Sequence, residues 1–297
     1  MSQPLSGVVV VSLAVNVPGP VAVARLVDLG ARGTVVQPPA GDPLERYAPG
    51  WYAELSRRLE VLRLDLKDPG GRRELDELLA GADVLVTATR PAALARLGFD
   101  WPHLHEAFPR LVHTSIVGRA GERADVPGHD LTYQAAAGIL APPAAPRTLA
   151  ADLAGAERAV SETLAGLLLR ERTGEGTLRE VGLGDCADDL GAPVRRGMTT
   201  PGSLLGGGFA GYGLYAARGG HVALAALEPH FWARAEELLG ADHAQIAATL
   251  AGRSPDEWEA WGEEHDVPLA AVREPERDPA CEHEHEHEHE HEREVTA

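Results

Sequence analysis

The chain contains little cysteine and no long apolar run. Its two cysteines, Cys186 and Cys281, lie far apart among 297 residues and form neither a metal-binding nor a redox spacing. This scarcity is typical of a reducing compartment, so we expect a cytoplasmic protein. No stretch reaches the roughly 18 apolar residues that cross a bilayer, which predicts no membrane partner. The apolar residues 7–15 lack a basic leader, and they are typical of a buried strand rather than of a signal peptide.

Positive charge is also scarce. The 27 basic residues against 45 acidic ones give a formal net charge of -18, which argues against nucleic acid as a partner. Part of that charge comes from the alternating Glu/His repeat within residues 276–297. We expect this segment to be a disordered, solvated tail, because its imidazoles have no fixed geometry for a metal ion. We therefore predict no metal site.

Residues 56–73 are the exception to the acidic composition. They contain five arginines and the single lysine of the chain, Lys67, against three acidic residues. Such a local excess of positive charge suits a phosphate-bearing ligand. A solvated surface of helix and turn explains the same pattern, and composition alone leaves both interpretations open.

Hydrophobic patterning predicts an α/β fold for the first half of the chain. The predicted strands are residues 7–13, 33–39, 82–90 and 110–118, and the predicted helices between them are 21–31 and 72–82. Strands separated by helices imply a parallel sheet that binds ligands at the carboxyl ends of its strands. The sequence VNVPGP at 15–20 occupies such an end, and it lacks the GxGxxG pattern of nicotinamide-binding loops.

The pattern changes beyond residue 150. A long helix is predicted over 150–176, a strand over 179–185, a compact α+β region over 213–240 and a further helix over 254–265. The predicted organisation is a large domain over 1–196, a glycine-rich linker over 197–211, a small α+β domain over 212–275 and the tail over 276–297.

The stretch VPGHDLTYQAAAGIL at 126–140 places His129 and Asp130 side by side at the start of a predicted helix. Asp152 lies near the start of another. Helix N-termini present unpaired N–H groups and partial positive charge, so a reacting anion is stabilised there, and Asp130 is expected to cap its own helix. On residue type alone, a structural histidine and an ordinary helix cap explain these positions as well.

Eight short motifs occur in one order along the chain. They are PGP, AGDP, LDLKDPGGR, ADVLVTATRP, PRLVHTSIVG, GHDLTYQAAAG, AADLAG and ALEPHF. Together they resemble the CoA-transferase family III proteins (the CaiB/BaiF family) over residues 5–272, and the GHD and LEPHF elements are most similar to the alpha-methylacyl-CoA racemase branch. The resemblance implies a Rossmann-like large domain, a small α+β domain, a C-terminus shorter than that of relatives, and an interlocked homodimer. It also implies an acyl-CoA thioester as substrate and no other cofactor.

The resemblance implies the site residues too. His129 and Asp152 match the acid/base pair of the racemases, and Glu228 matches a glutamate that orients the histidine. Racemising a 2-methylacyl thioester needs two such groups, because a proton leaves one face of the carbon next to the carbonyl and another returns to the opposite face. The backbone N–H of Asp130 is expected to stabilise the enolate oxygen. The implied substrate-binding residues are Leu64, Asp65, Leu66, Lys67, Arg90, Gly128, Asp130, Leu131, Thr132 and Tyr133.

Two other functions stay open. A CoA-transferase would use Asp152 as a nucleophile, but it needs no second proton-transfer group at position 129. A catalytically reduced acyl-CoA-binding homologue is favoured by departures from the family pattern. Pro38 stands where relatives have an arginine, and LSRRLEV at 55–61 replaces an asparagine-arginine-glycine-lysine stretch. Glu157, where relatives have a glycine, is expected to crowd the thioester.

Overall fold

The computed structural model describes residues 3–275. They form two compact units, one up to Leu190 and one from Gly191 onward. The boundary predicted from the sequence, after residue 196, stays a prediction. The predicted tail, 276–297, lies outside the described residues.

The first unit is built on a six-stranded sheet. Its strands are β1 (Val9–Ser12), β2 (Arg32–Gln37), β3 (Leu59–Arg63), β4 (Val84–Thr87), β5 (Val112–Val117) and β6 (Leu178–Gly182). All neighbours are parallel, in the order β3-β2-β1-β4-β5-β6. The order reverses between β1 and β4, and a crevice for ligands opens at such a switch point, beyond the carboxyl ends of the strands.

Helices cover both faces of this sheet. They are α1 (Pro18–Asp28), α2 (Leu44–Tyr47), α3 (Pro49–Ser56), α4 (Pro69–Ala80), α5 (Pro91–Leu97), α6 (Trp101–Ala107), α7 (Asp130–Ala137), α8 (Ala150–Thr173) and α9 (Leu183–Leu190). Alternate strand residues face opposite sides, so Val10 packs in the core with α1 and α8, whereas Val11 packs with α4, α5 and α6. The predicted Rossmann-like fold is confirmed.

Two local predictions in this unit were wrong. Strand β3 was missed, because it is an edge strand whose residues are exposed or only partly buried and whose flanks are rich in arginine. The strand predicted over 179–185 ends at Gly182, and α9 begins at the next residue. The sequence LGDCADDL has its small and apolar residues at helical spacing, with Gly184 and Ala187 buried on one side.

The second unit pairs a small sheet with helices. Strands β7 (Tyr212–Ala217), β8 (Gly220–Ala225) and β9 (Leu269–Ala271) are antiparallel, and the helices are α10 (Ala192–Arg195), α11 (Pro229–Leu239), α12 (His243–Leu250) and α13 (Pro255–His265). Their buried core includes Val222, Leu224, Ile246 and Trp258. The predicted small α+β unit is confirmed. Within the proposed linker 197–211, Leu204–Gly208 forms a hydrogen-bonded turn against Ser203.

Candidate active site

The carboxyl edge of the parallel sheet collects the segments that carry chemistry. Asn16 follows β1, Asp42 follows β2, Lys67 follows β3 and Arg90 follows β4. Helices α1 and α8 begin at the same edge, because they pack side by side and an ion pair joins Arg25 to Glu157, eight residues into each helix. The two helix N-termini therefore face the crevice together.

The carboxylate of Asp130 joins the starts of two helices. It is only 5% exposed, and its Oδ1 accepts hydrogen bonds from the backbone N–H groups of Ala151 at 2.8 Å and Asp152 at 3.1 Å. Its Oδ2 accepts from the Gln134 amide, which also donates to the Thr148 carbonyl at 3.0 Å. The expectation that Asp130 caps its own helix, α7, was wrong. It caps α8, because the first turn of α8 packs directly against it.

Asp152 lies half-buried in the first turn of α8. Burial is the largest cause of its raised pKa, and the nearby Asp130 adds to it, so that the pKa reaches about 7. A carboxyl group with this pKa is present in both protonation states near neutral pH. It can therefore act as a general acid or as a general base.

His129 is exposed and directly precedes α7. Thr132 fixes its backbone, since the Thr132 hydroxyl accepts from the His129 N–H at 3.0 Å and donates to the His129 carbonyl at 2.8 Å. The N–H groups of Asp130 and Leu131 belong to the first turn of α7, which has no earlier helical carbonyl to bind them. These N–H groups are suited to an oxyanion.

Tyr133 is buried, with its ring between two glycines. A Cβ atom at position 128 would lie 2.5 Å from the Tyr133 ring, and one at position 118 would lie 2.6 Å from its hydroxyl oxygen. Only glycine therefore fits at Gly128 and Gly118. Burial raises the pKa of Tyr133, and the charge of Asp152 raises it further.

The segment Leu64–Lys67 leaves β3 at the same edge of the sheet. Leu64 and Leu66 pack against the core, and the Asp65 carboxylate accepts from the Lys67 N–H at 2.9 Å. Lys67 itself is exposed, as is Arg90. These two cations are therefore available to a ligand at the carboxyl edge.

The basic segment 56–73 is not one patch. Strand β3 divides it, so Arg58 lies at the opposite end of the strand from Lys67 and pairs with Asp28. Arg63 pairs with Glu45 at 2.8 Å. The segment therefore does not gather all its cations at one place, because an extended strand separates its ends by about 3.3 Å per residue.

Two other expected residues lie in different surroundings. The Glu157 side chain is 60% exposed and turns toward Arg25 at 3.1 Å, so it does not crowd the space beside Asp152. Glu228 belongs to the second unit, where it is exposed and directly precedes α11. Its contact with His129 stays a prediction.

Asn16, Asp42 and Tyr47 were not among the predicted site residues. Asp42 is 3% exposed and accepts from the N–H of Asn16, whose side-chain oxygen accepts from the Tyr47 hydroxyl. Asn16 lies in VNVPGP at 15–20 and Asp42 in the AGDP motif, but neither stretch indicates which of its side chains form hydrogen bonds with each other. Within residues 3–275, no cluster of three or more His, Cys, Asp or Glu residues could hold a metal ion, and no helix is long and apolar enough to cross a membrane.

Known proteins resemble this chain over most of its length. It is 33% identical over 199 residues to the acetyl-CoA:oxalate CoA-transferase of Acetobacter aceti, which covers 61% of this chain and 51% of that enzyme. It is 29% identical over 276 residues to the alpha-methylacyl-CoA racemase of Homo sapiens, which covers 86% of this chain and 69% of the racemase. The chain spans about half the length of several curated relatives, with 45% covered in the succinyl-CoA:(R)-benzylsuccinate CoA-transferase subunit of Thauera aromatica.

Solved structures share the fold. A CaiB/BaiF family protein from Brucella suis superposes with a TM-score of 0.78 at 22% identity, covering 92% of this chain and 85% of that one. A hypothetical protein from Mycobacterium tuberculosis gives a TM-score of 0.76 at 22% identity, covering 94% and 95%. The profile of CoA-transferase family III matches residues 5–297. The predicted family is thus confirmed: the chain belongs to CoA-transferase family III.

Proposed function

We propose that this protein racemises or epimerises 2-methylacyl-CoA thioesters by proton transfer at the carbon next to the carbonyl. The observation that carries the proposal is the arrangement around Asp130. Its backbone follows His129, and its carboxylate binds the N–H of Asp152, so two acid/base groups flank one buried carboxylate. The raised pKa of Asp152 supports the same role.

The proton balance is simple. One of His129 and Asp152 removes the proton from carbon 2, and the electron pair moves onto the thioester oxygen to give an enolate. The N–H of Asp130, at the positive end of α7, donates to that oxygen. The other group then returns a proton to the opposite face of carbon 2. The thioester is regenerated with inverted configuration, and no other cofactor is consumed.

The remaining predicted residues receive supporting roles. Lys67 and Arg90 are proposed to bind the phosphates of CoA, and Gly128 lets Tyr133 close one side of the thioester pocket. Glu228 is proposed to orient the imidazole of His129. The protein is proposed to act as an interlocked homodimer on an acyl-CoA.

A CoA-transferase is the second candidate. Several relatives carry transferase names, including the Acetobacter aceti and Thauera aromatica proteins. Its chemistry would need Asp152 as an ionised nucleophile that attacks the thioester carbonyl and expels CoA. The raised pKa of Asp152 leaves only part of that carboxyl ionised at neutral pH, which lowers its capacity as a nucleophile without removing it.

Incubation of a 2-methylacyl-CoA in deuterated water with an added carboxylate, followed by mass spectrometry, separates the two reactions. Racemisation incorporates one deuterium at carbon 2 without moving CoA. Transfer yields a new CoA ester of the added carboxylate. Transfer without deuterium at carbon 2 would overturn the proposed function in favour of the second candidate, and neither product would exclude both.

A further inference from the structure

Asn16 has an unusual backbone for a residue with a side chain. Its φ angle is 68°, in the left-handed region, and Asp266 in the second unit is the other non-glycine residue with positive φ among residues 3–275. Left-handed backbone conformations outside glycine are rare and cluster at functional sites, although asparagine tolerates them better than most residues. Asn16 also lies directly beyond β1, at the switch point of the sheet.

Asp42 holds this conformation in place. Its buried Oδ1 accepts from the N–H of Asn16 at 3.0 Å and from the N–H of Leu44 at 2.9 Å. The loop after β2 therefore fixes the loop after β1. A buried acceptor bound to two backbone N–H groups resists rotation, so the backbone at Asn16 keeps its conformation.

Tyr47 fixes the amide itself. Its hydroxyl donates to the Asn16 Oδ1, which occupies the acceptor of that side chain. Among the described residues, no acceptor contacts the Asn16 Nδ2. The amide therefore offers its two N–H donors, held by contacts on both its backbone and its oxygen.

This amide and Asp152 lie near the starts of two neighbouring helices, α1 and α8. The pKa of Tyr47 is raised by burial first and then by the charges of Asp42 and Asp152, so the phenol that binds Asn16 lies within electrostatic range of the Asp152 carboxylate. Asn16 also precedes α1 by two residues, and α1 begins beside α8. The donor and the acid/base group thus share one end of the crevice.

We propose that the Asn16 side-chain amide donates a hydrogen bond to the thioester carbonyl oxygen of a bound acyl-CoA, opposite the N–H of Asp130. This proposal rests on the proposed function and deepens it. The Asn16 Nδ2 can only donate, so its partner on a ligand must be an acceptor. The carboxylates of Asp130 and Asp152 disfavour a ligand acceptor that is already an anion. A neutral carbonyl oxygen that gains negative charge in the enolate meets both requirements, and Tyr47 is then a positioning residue that acts through Asn16.

The test is Asn16→Gly, which keeps the left-handed backbone and removes the amide. We expect deuterium incorporation into a 2-methylacyl-CoA to fall about 100-fold, the low end for losing one oxyanion donor. We expect the dissociation constant of the same acyl-CoA to rise about fivefold, and that of free CoA, which has no thioester carbonyl, to stay unchanged. Asp266→Gly is the control for a left-handed residue changed to glycine, and it should leave both quantities unchanged.

Tyr47→Phe adds a second readout. Alone it should lower deuterium incorporation by about fivefold, because the unheld amide rotates away. Combined with Asn16→Gly it should cost nothing further, since it acts only through Asn16. Additive losses, or equal effects of Asn16→Gly on acyl-CoA and free CoA, would overturn the inference. If the wild-type protein exchanges no deuterium but Asn16→Gly still weakens acyl-CoA selectively, the proposed function fails and the binding role of Asn16 stands.

Discussion

Asp130 connects the two groups proposed to transfer protons, and its charge has a measurable consequence. Its negative charge raises the pKa of Asp152, second to burial. Asp130→Asn keeps an oxygen that can accept from Ala151 and Asp152 but removes that charge. We therefore expect the pKa of Asp152 to fall below its present value of about 7.

The pH dependence of deuterium incorporation measures this change for each epimer separately. For the epimer that Asp152 deprotonates, the rate of the wild-type protein should fall as the pH drops below about 7, because the base becomes protonated. For the opposite epimer it should fall as the pH rises above that value. In Asp130→Asn both limbs should move to lower pH.

The control is Asp68→Asn. Asp68 also caps a helix, accepting from Gly70 at 2.7 Å and Gly71 at 3.3 Å, but it belongs to α4 rather than to the site. Its variant should leave both limbs in place. If neither limb of the pH profile moves in Asp130→Asn, the charge of Asp130 does not raise the pKa of Asp152.

The sequence predicts individual residues unevenly. The helix starts at His129 and Asp152 were predictable, because small apolar residues at helical spacing follow each of them. The hydrogen bonds from the start of α8 to the Asp130 carboxylate were not predictable, since they depend on how α7 packs against α8. Asn16 was not predicted either, because its positive φ and its bond to Tyr47 arise from contacts between distant loops.

At the level of elements, β3 separates the basic residues of segment 56–73, so that Arg58 and Lys67 lie at opposite ends of the strand. Lys67→Glu should raise the dissociation constant of an acyl-CoA about tenfold, the loss expected for one charge-assisted hydrogen bond, and the effect should shrink at high salt. Arg58→Glu, at the other end of the strand, is the matched control and should leave binding unchanged. Equal effects of the two variants would favour nonspecific attraction to a basic surface.

The central strands contain a buried histidine that predicts acid sensitivity. His113 of β5 is 2% exposed, its Nε2 lies 3.0 Å from the Thr87 hydroxyl, and burial lowers its pKa from 6.5 to about 4. The unfolded chain therefore binds a proton more readily than the folded one. Neutral His113 contributes its full stabilisation above pH 6.5. This contribution is lost as the pH falls toward about 4.

Chemical denaturation at about pH 7 and about pH 4.5 tests this in His113→Asn, which keeps a polar group for Thr87. We expect the variant to lose less unfolding free energy on acidification than the wild-type protein, by about 2 kcal/mol. The control His103→Asn changes an exposed histidine and should behave as the wild-type protein does. If His113→Asn lost as much unfolding free energy on acidification as the wild-type protein does, His113 would not be the source of that loss.

Elements of the first unit were predictable where burial is complete. β1, β4 and β5 are central and apolar, and their strands were placed within three residues of the observed ends. β3 was not, because an edge strand contributes few buried side chains. The division after Leu190 has no marker in the sequence, since the short helix α10 that follows it has no apolar period.

For the whole molecule, we predict a homodimer. Leu168 and Leu169 on α8 are 63% and 41% exposed, and Leu214 on β7 is 73% exposed, which is apolar surface that a second copy could cover. Light scattering should give a mass about twice that of the 31.5 kDa chain. Leu168→Glu should shift the protein toward the single chain. A single-chain mass for the wild-type protein at every concentration would contradict the interlocked assembly.

His129 and Asp152 are proposed to act on opposite faces of carbon 2. The most direct measurement is deuterium incorporation into each pure epimer of a 2-methylacyl-CoA by His129→Ala and Asp152→Asn. Each variant should lose epimer inversion by at least about 100-fold, yet each should still exchange the proton of one epimer, and the retained epimer should differ between the two variants. Wild-type inversion in either variant, or retention of the same epimer by both, would contradict the account.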